Sequence, residues 1–117
     1  MLNKREDGTA GEVLAVEYLQ KKGYRILERN YRFERAEVDI IAEDQEFLVF
    51  VEVKARRSTM FGEPEDAVTE RKSAQMRKVA NGYCLRCGIE DRACRFDIIA
   101  IRYDGKNPTI RHIENAF

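Results

Sequence analysis

No excess of charge of either sign marks this chain: 21 Lys and Arg face 21 Asp and Glu, for a net charge of 0. That balance counts against an indiscriminate nucleic-acid binder, which is usually basic overall, and leaves room for a local basic patch. No apolar run approaches the length that spans a bilayer, so no membrane partner is expected. The opening Met1-Leu2-Asn3-Lys4-Arg5-Glu6-Asp7 does not read as a secretory signal. Cysteine is scarce and odd in number, three in all, which fits a reducing, cytoplasmic setting better than a disulfide framework. Cys84 and Cys87, with Cys94 nearby, would need a fourth ligand to close a zinc site. The single histidine, His112, would have to supply it, and it reads instead as an edge or surface residue. The cysteines then read as small apolar side chains. There is no internal repeat, low-complexity tract or linker, so residues 1–117 suit one compact domain.

What the chain does have is a concentrated apolar stretch from Glu37 to Lys54. Glu37-Val38-Asp39-Ile40-Ile41 and Phe47-Leu48-Val49-Phe50-Val51-Glu52-Val53-Lys54 flank a short polar break, the pattern of a β-hairpin. Val, Ile and Phe suit a pleated, buried surface. Charges inside such strands are costly unless paired or bound to a metal, which singles out Glu37, Asp39, Glu52 and Lys54. Side chains two apart share a face, so Glu52 goes with Lys54 and Glu37 with Asp39. A two-residue loop at Asp44-Gln45 would put Glu37 opposite Glu52 and bring all four charges to one face. A loop one residue longer or shorter would flip one pair to the other side. Acids that face each other repel, and a divalent cation removes the conflict. A lysine two residues beyond a ligand can orient a water or stabilise charge on a phosphate. The spacing suits metal-assisted phosphodiester cleavage.

A helix over residues 9–22 is expected from the stripe Val13, Ala15, Val16 and Leu19, with Gly23 as its stop. Tyr24 to Glu28 reads as a strand, and Arg29, Arg32 and Arg35 beyond it are either phosphate contacts or solvated charges. After Lys54 comes a basic loop, Ala55-Arg56-Arg57-Ser58-Thr59-Met60-Phe61-Gly62, suited by its charge to hold a nucleic-acid backbone through Arg56 and Arg57. Met60 or Phe61 either stacks on a base or lies buried under the loop. Residues 69–86 read as a second helix capped by Thr69, with a basic exterior of Arg71, Lys72, Arg77, Lys78 and Arg86. Lys72 sits in the first turn, where its charge opposes the helix dipole, so an anion facing it, such as a phosphate, is expected. Arg95 to Ile101 is an apolar strand joined to the Glu52 strand through a helix, hence parallel to it. Asp97 inside it calls for a basic partner such as Lys72 or Arg56. Pro108 to Ile113 completes the set as an edge strand.

An acid on one strand followed by Glu-x-Lys on the next resembles the core motif of the PD-(D/E)xK nucleases, with Asp39, Glu52 and Lys54 in its three places. Over nearly its whole length the chain is also similar to the small YraN family, whose members resemble Holliday-junction resolvases. The matching stretches include Gly11-Glu12, Asn30-Tyr31-Arg32, Glu37-Val38-Asp39, Leu48 to Lys54, Phe61-Gly62, Lys72 and Arg95-Phe96-Asp97. That family usually carries Gly where this chain has Ala36. If the position needs a positive φ, Ala36 would strain the strand entry.

The resemblance implies a restriction-endonuclease-like α/β domain, a mixed sheet flanked by helices in the order α-β-β-β-α-β-β. It implies Mg²⁺ or Mn²⁺ held by Asp39 and Glu52, with Glu12 and Glu37 as auxiliary acids and Lys54 acting on the attacking water. It also places Glu12 at the site, while Thr9-Ala10-Gly11-Glu12 equally fits a capping box at the helix start. The expected function is a metal-dependent endonuclease acting on DNA, branched or otherwise structured. Paired cleavage of a junction would need two sites and therefore a homodimer. The rival readings are a non-catalytic nucleic-acid-binding module that keeps the nuclease core, and a protein-interaction domain.

Overall fold

The computed structural model describes residues 4–57, 68–103, 105 and 107–117. The elements are α1 (Lys4–Lys21), β1 (Arg25–Phe33), β2 (Ala36–Asp44), β3 (Phe47–Arg56), α2 (Glu70–Cys87), β4 (Cys94–Arg102) and β5 (Thr109–Ile113), the expected order. The five strands lie side by side in sequence order, β1-β2-β3-β4-β5. Every neighbouring pair is antiparallel except β3 and β4, which the α2 crossover leaves parallel, as the sequence predicted. No helix among the described residues is long and apolar enough to cross a membrane.

Alternation on β3 builds two cores. Val49 and Val51 point to one face, where Ala15 and Leu19 of α1 cover Ile40, Ala42, Ile99 and Ile101. Leu48 and Phe50 point to the other, under Met76, Val79, Ala80 and Tyr83 of α2. The strand is buried on both sides because helices cover both faces of the sheet. By the same alternation Glu52 and Lys54 fall on the α2 side, past the last apolar layer.

Helix α2 begins at Thr69, whose hydroxyl accepts from the Lys72 N–H at 3.1 Å. It ends on Gly88, left-handed at φ 66°, a conformation that favours residues without a Cβ. Gly82 sits where α2 crosses the end of β1, and a Cβ there would stand 2.4 Å from the Phe33 ring. Gly82→Ala should therefore destabilise the fold by about 1–3 kcal/mol, read as a lower urea midpoint at unchanged slope. An unchanged midpoint would mean that Phe33 moves aside freely.

The observed elements differ from expectation in four places. Helix α1 starts at Lys4, not residue 9, so Thr9 to Glu12 lie inside it and not at its start. Strand β1 runs on to Phe33, through an Asn30 with φ 53°. The β2–β3 loop is Gln45-Glu46, one step beyond the expected Asp44-Gln45. Ala36 carries no strain: the left-handed residue of the β1–β2 turn is Glu34, φ 56°, and the Ala36 methyl is buried in the α2-side core.

Candidate active site

The site forms where the β2–β3 ladder ends. Its recorded pairs stop at Ile40↔Val51. Beyond them the Asp39 carboxylate itself accepts the Val53 N–H, Oδ2 at 2.8 Å. The pleat slips at this point. Val38 and Ile41 both lie in the α2-side core, while Ile40 lies on the α1 side, so Val38 and Ile40 do not share a face as a regular strand would require. Across from Asp39 the neighbouring strand holds the left-handed Asn30, φ 53°, between the pairs Arg29↔Ile40 and Tyr31↔Val38, which keep one register; the shift in this ladder lies farther along, between Ile26 and Glu28.

Glu52 is 8% exposed and touches two lysines, Lys54 Nζ at 3.5 Å from Oε1 and Lys72 Nζ at 3.1 Å from Oε2. Asp39 is less well served. Burial, then the charge of Glu52, push its carboxyl from 3.8 up to about 7, against the Val53 N–H bond that favours ionisation; Glu12 adds to the rise and Lys72 opposes it. Glu12 reaches this neighbourhood from α1 and is held by β1, accepting from Asn30 Nδ2 at 3.2 Å with Arg29 at 3.6 Å.

The structure thus brings Asp39, Glu52, Lys54, Lys72 and Glu12 into one electrostatic cluster. Glu37 stands outside those contacts: it is exposed and pairs with Arg32 at 3.5 Å. Arg56 lies exposed at the end of β3, with its guanidinium on the Ala55 carbonyl, and Arg57 follows it. Ser58 to Phe61, Gly62 and Pro64 lie outside the described residues. Sequence reasoning missed the role of Asn30, whose signal was a residue tolerant of positive φ inside a strand. It offered Arg29 as a phosphate contact or a solvated charge, whereas Arg29 holds Glu12.

The donor set decides which cofactor suits the site. No group of three or more His, Cys, Asp or Glu among the described residues is arranged to hold a metal. Mg²⁺ is content with one or two protein carboxylates, the rest of its shell being water and substrate oxygens. A half-buried Asp39 whose carboxyl is raised by burial and by the charge of the buried Glu52 is a fit for such a hard cation, and the two acids would be its ligands.

Among solved structures, the chain is similar to SfsA of Pyrococcus furiosus in complex with Ca²⁺ at 16% identity and a TM-score of 0.37, over 97% of this chain and 64% of that one. Likeness at that level carries no functional argument. The sequence relatives are much closer. A UPF0102 protein of Trichlorobacter lovleyi is 49% identical over 94% of this chain and 88% of its own length. Another from Geobacter metallireducens is 45% identical over 99% and 95%, and one from Caldicellulosiruptor saccharolyticus 45% over 99% and 100%. The model of the uncharacterised protein family UPF0102 matches residues 11–101. The chain belongs to that family, the YraN family of the sequence resemblance.

Proposed function

We propose that this chain is a metal-dependent endonuclease of the PD-(D/E)xK type, hydrolysing phosphodiester bonds in branched or otherwise structured DNA. The observation that carries the reading is the meeting of Asp39 and Glu52 at the frayed end of the β2–β3 ladder, with Lys54 on Glu52. A Mg²⁺ or Mn²⁺ held by the two carboxylates would supply positive charge to the phosphate and acidify a water. Lys54 and Lys72 are ammonium donors at the same carboxylate, placed to stabilise negative charge that grows on the phosphate oxygens. Water adds to phosphorus, the ester P–O bond breaks, and the leaving oxygen departs as an alcohol after taking a proton. Because a proton and a cation compete for Asp39, cation affinity should fall as pH drops below about 7.

The test is cleavage of labelled linear, flapped and four-way-junction DNA with Mg²⁺ or Mn²⁺, beside Lys54→Ala and Glu52→Gln. Each substitution should cost at least ~10²-fold in rate. Equal cleavage by all three proteins would sink the assignment. A second reading, a non-catalytic nucleic-acid-binding module, is favoured by one feature. Both Glu52 oxygens are already engaged by lysines, so that carboxylate has counter-charges without a cation. It requires binding without turnover, and affinity unaltered by Asp39→Asn beyond electrostatics. Junction cleavage would make the active species a homodimer, with gel filtration on the substrate as the check.

A further inference from the structure

Outside the carboxylate site the most uneven charge in the molecule lies on α2. A chain with equal numbers of acids and bases puts Arg71, Lys72, Arg77, Lys78 and Arg86 on this helix against Glu70 alone. Most charged helix faces are only solvated. Three further features set this one apart. Arg71 and Arg77 are exposed and make no ion pair or hydrogen bond among the described residues, whereas Arg25, Arg29, Arg32, Lys54, Arg92 and Arg95 each have an acid. Beside Arg77 lies an open groove of about 480 Å³ between α2 and the β1–β2 hairpin, where Phe33, Gly82 and Leu85 meet Arg77, Lys78 and Asn81. Leu85 is 82% exposed there. Finally, the helix that carries this face begins at the site itself, because Lys72 in its first turn touches Glu52.

The spacing decides what fits. Arg77 and Lys78 lie beyond Lys72 by roughly 8–9 Å along the helix, at about 1.5 Å per residue. Phosphates of one nucleic-acid strand follow at roughly 3.4 Å of rise, so about two or three of them span that distance. An apolar floor with a cationic rim matches a nucleotide, whose sugar and base are flat and apolar-faced while its phosphate is an anion. We propose that the outer face of α2 is a strand-docking track: the nucleic-acid strand whose scissile phosphate lies at Asp39 and Glu52 continues along it, phosphates on Arg71 and Arg77 and a sugar or base against Phe33 and Leu85. This rests on the nuclease reading for the position of the scissile phosphate. Lys78 is held by Glu34 of the hairpin, so the arriving polyanion displaces that acid.

The test is fluorescence anisotropy of labelled single-stranded and duplex DNA across a salt series, in EDTA so that nothing is cleaved. Arg71→Gln/Arg77→Gln should weaken binding about tenfold and flatten the log–log salt slope by roughly 0.7–0.9 per cation removed. Leu85→Ser should weaken binding with the slope intact, and Glu34→Gln should tighten it by freeing Lys78. Circular dichroism checks that each variant folds. Unchanged affinity and slope in the double arginine variant overturn the track, even if cleavage sensitive to Asp39→Asn persists. So does failure of the unaltered chain to bind any strand, or binding to polyglutamate in place of DNA, which would make the face a dock for an acidic protein. If the α2 variants lose binding while the unaltered chain never cleaves with Mn²⁺, the track stands and the catalytic reading falls.

Discussion

Asp39→Asn should leave the protein inactive as a nuclease and yet more stable than the unaltered chain above pH 7. Asn is isosteric, and its Oδ1 can still accept the Val53 N–H that Asp39 accepts now. What it removes is a charge the fold does not welcome. Carrying this carboxyl from 3.8 to about 7 costs the folded state on the order of 4 kcal/mol once Asp39 is ionised, from burial first and the charge of Glu52 second. The sign follows from the raised value. The folded protein holds the proton more tightly than the unfolded chain, so this group's stability is fully present below about 4 and is lost as pH rises through about 7. The Asn variant lacks that loss. Its melting temperature should exceed the unaltered protein's by roughly 10 °C at pH 8, and the gap should close as pH falls toward 4. Adding Mg²⁺ at pH 8 should raise the melting temperature of the unaltered protein alone, because only it gains a ligand for the cation. A melting temperature equal to or below the unaltered one at pH 8 would mean that Asp39 is not strained by its ionisation. The expected trade of stability for activity is what a site assembled from mutually repelling acids implies.

The face assignment of the hairpin survived an error in its loop, for a reason specific to strands. The turn is Gln45-Glu46, which shifts the pairing by two residues and therefore keeps the side chains of the paired stretch, Ile40 to Asp44 and Phe47 to Val51, on their expected sides. The turn itself was not legible locally. Gln45 takes a left-handed φ of 54°, and Arg92, from the loop before β4, donates to the carbonyls of Gln45 and Glu46. Contacts across more than forty residues decide it, and no short-range pattern carries them. Alternation misled at Glu37, because the slip of the pleat at Asp39 breaks the rule that residues two apart share a face. The partner of Asp97 was misread for the opposite reason. Neither Lys72 nor Arg56 meets it; Arg95, its same-face neighbour two residues back, does. The Glu52-x-Lys54 pair and Asp39 were legible because charge inside an apolar run is conspicuous. Lys72 at Glu52 was legible only as a cation in want of an anion, and the anion found is a carboxylate of the chain itself.

Asp97→Asn should be among the most damaging conservative changes in this fold. Asp97 is 0% exposed and accepts from Arg95 Nε at 3.0 Å and Nη2 at 2.9 Å, from His112 Nε2 at 2.7 Å and from the Asn115 N–H at 3.0 Å. His112, expected as an edge or surface residue, does lie on the edge strand β5, but its side chain is buried at 3% exposure, edge-on to Tyr18 and Tyr24. Lys22 lies 3.0 Å from its Nδ1. An ammonium can only donate, so Nδ1 accepts and Nε2 carries the hydrogen toward Asp97. Arg95 also donates to Asp44 and to the Tyr24 hydroxyl, which ties β4 to β2 and to the connection between α1 and β1. Burial alone would raise the Asp97 carboxyl, but the bonds from His112 and Arg95 outweigh it and hold it below the usual 3.8. An Asn there leaves the Arg95 charge without its main partner in a buried setting, a loss of about 3–5 kcal/mol. With a depressed value the stabilisation is present above about 4 and is lost as pH falls through the folded pKa. The unaltered protein should therefore show a steep acid limb in a stability–pH profile that the Asn variant lacks. Because the cost comes from the stranded cation, Arg95→Met/Asp97→Leu should lose less than the sum of its single changes in urea unfolding. Strict additivity, or a loss under about 1 kcal/mol for Asp97→Asn, would show that these bonds replace equal ones to water and that the two hydrophobic cores alone hold the sheet together.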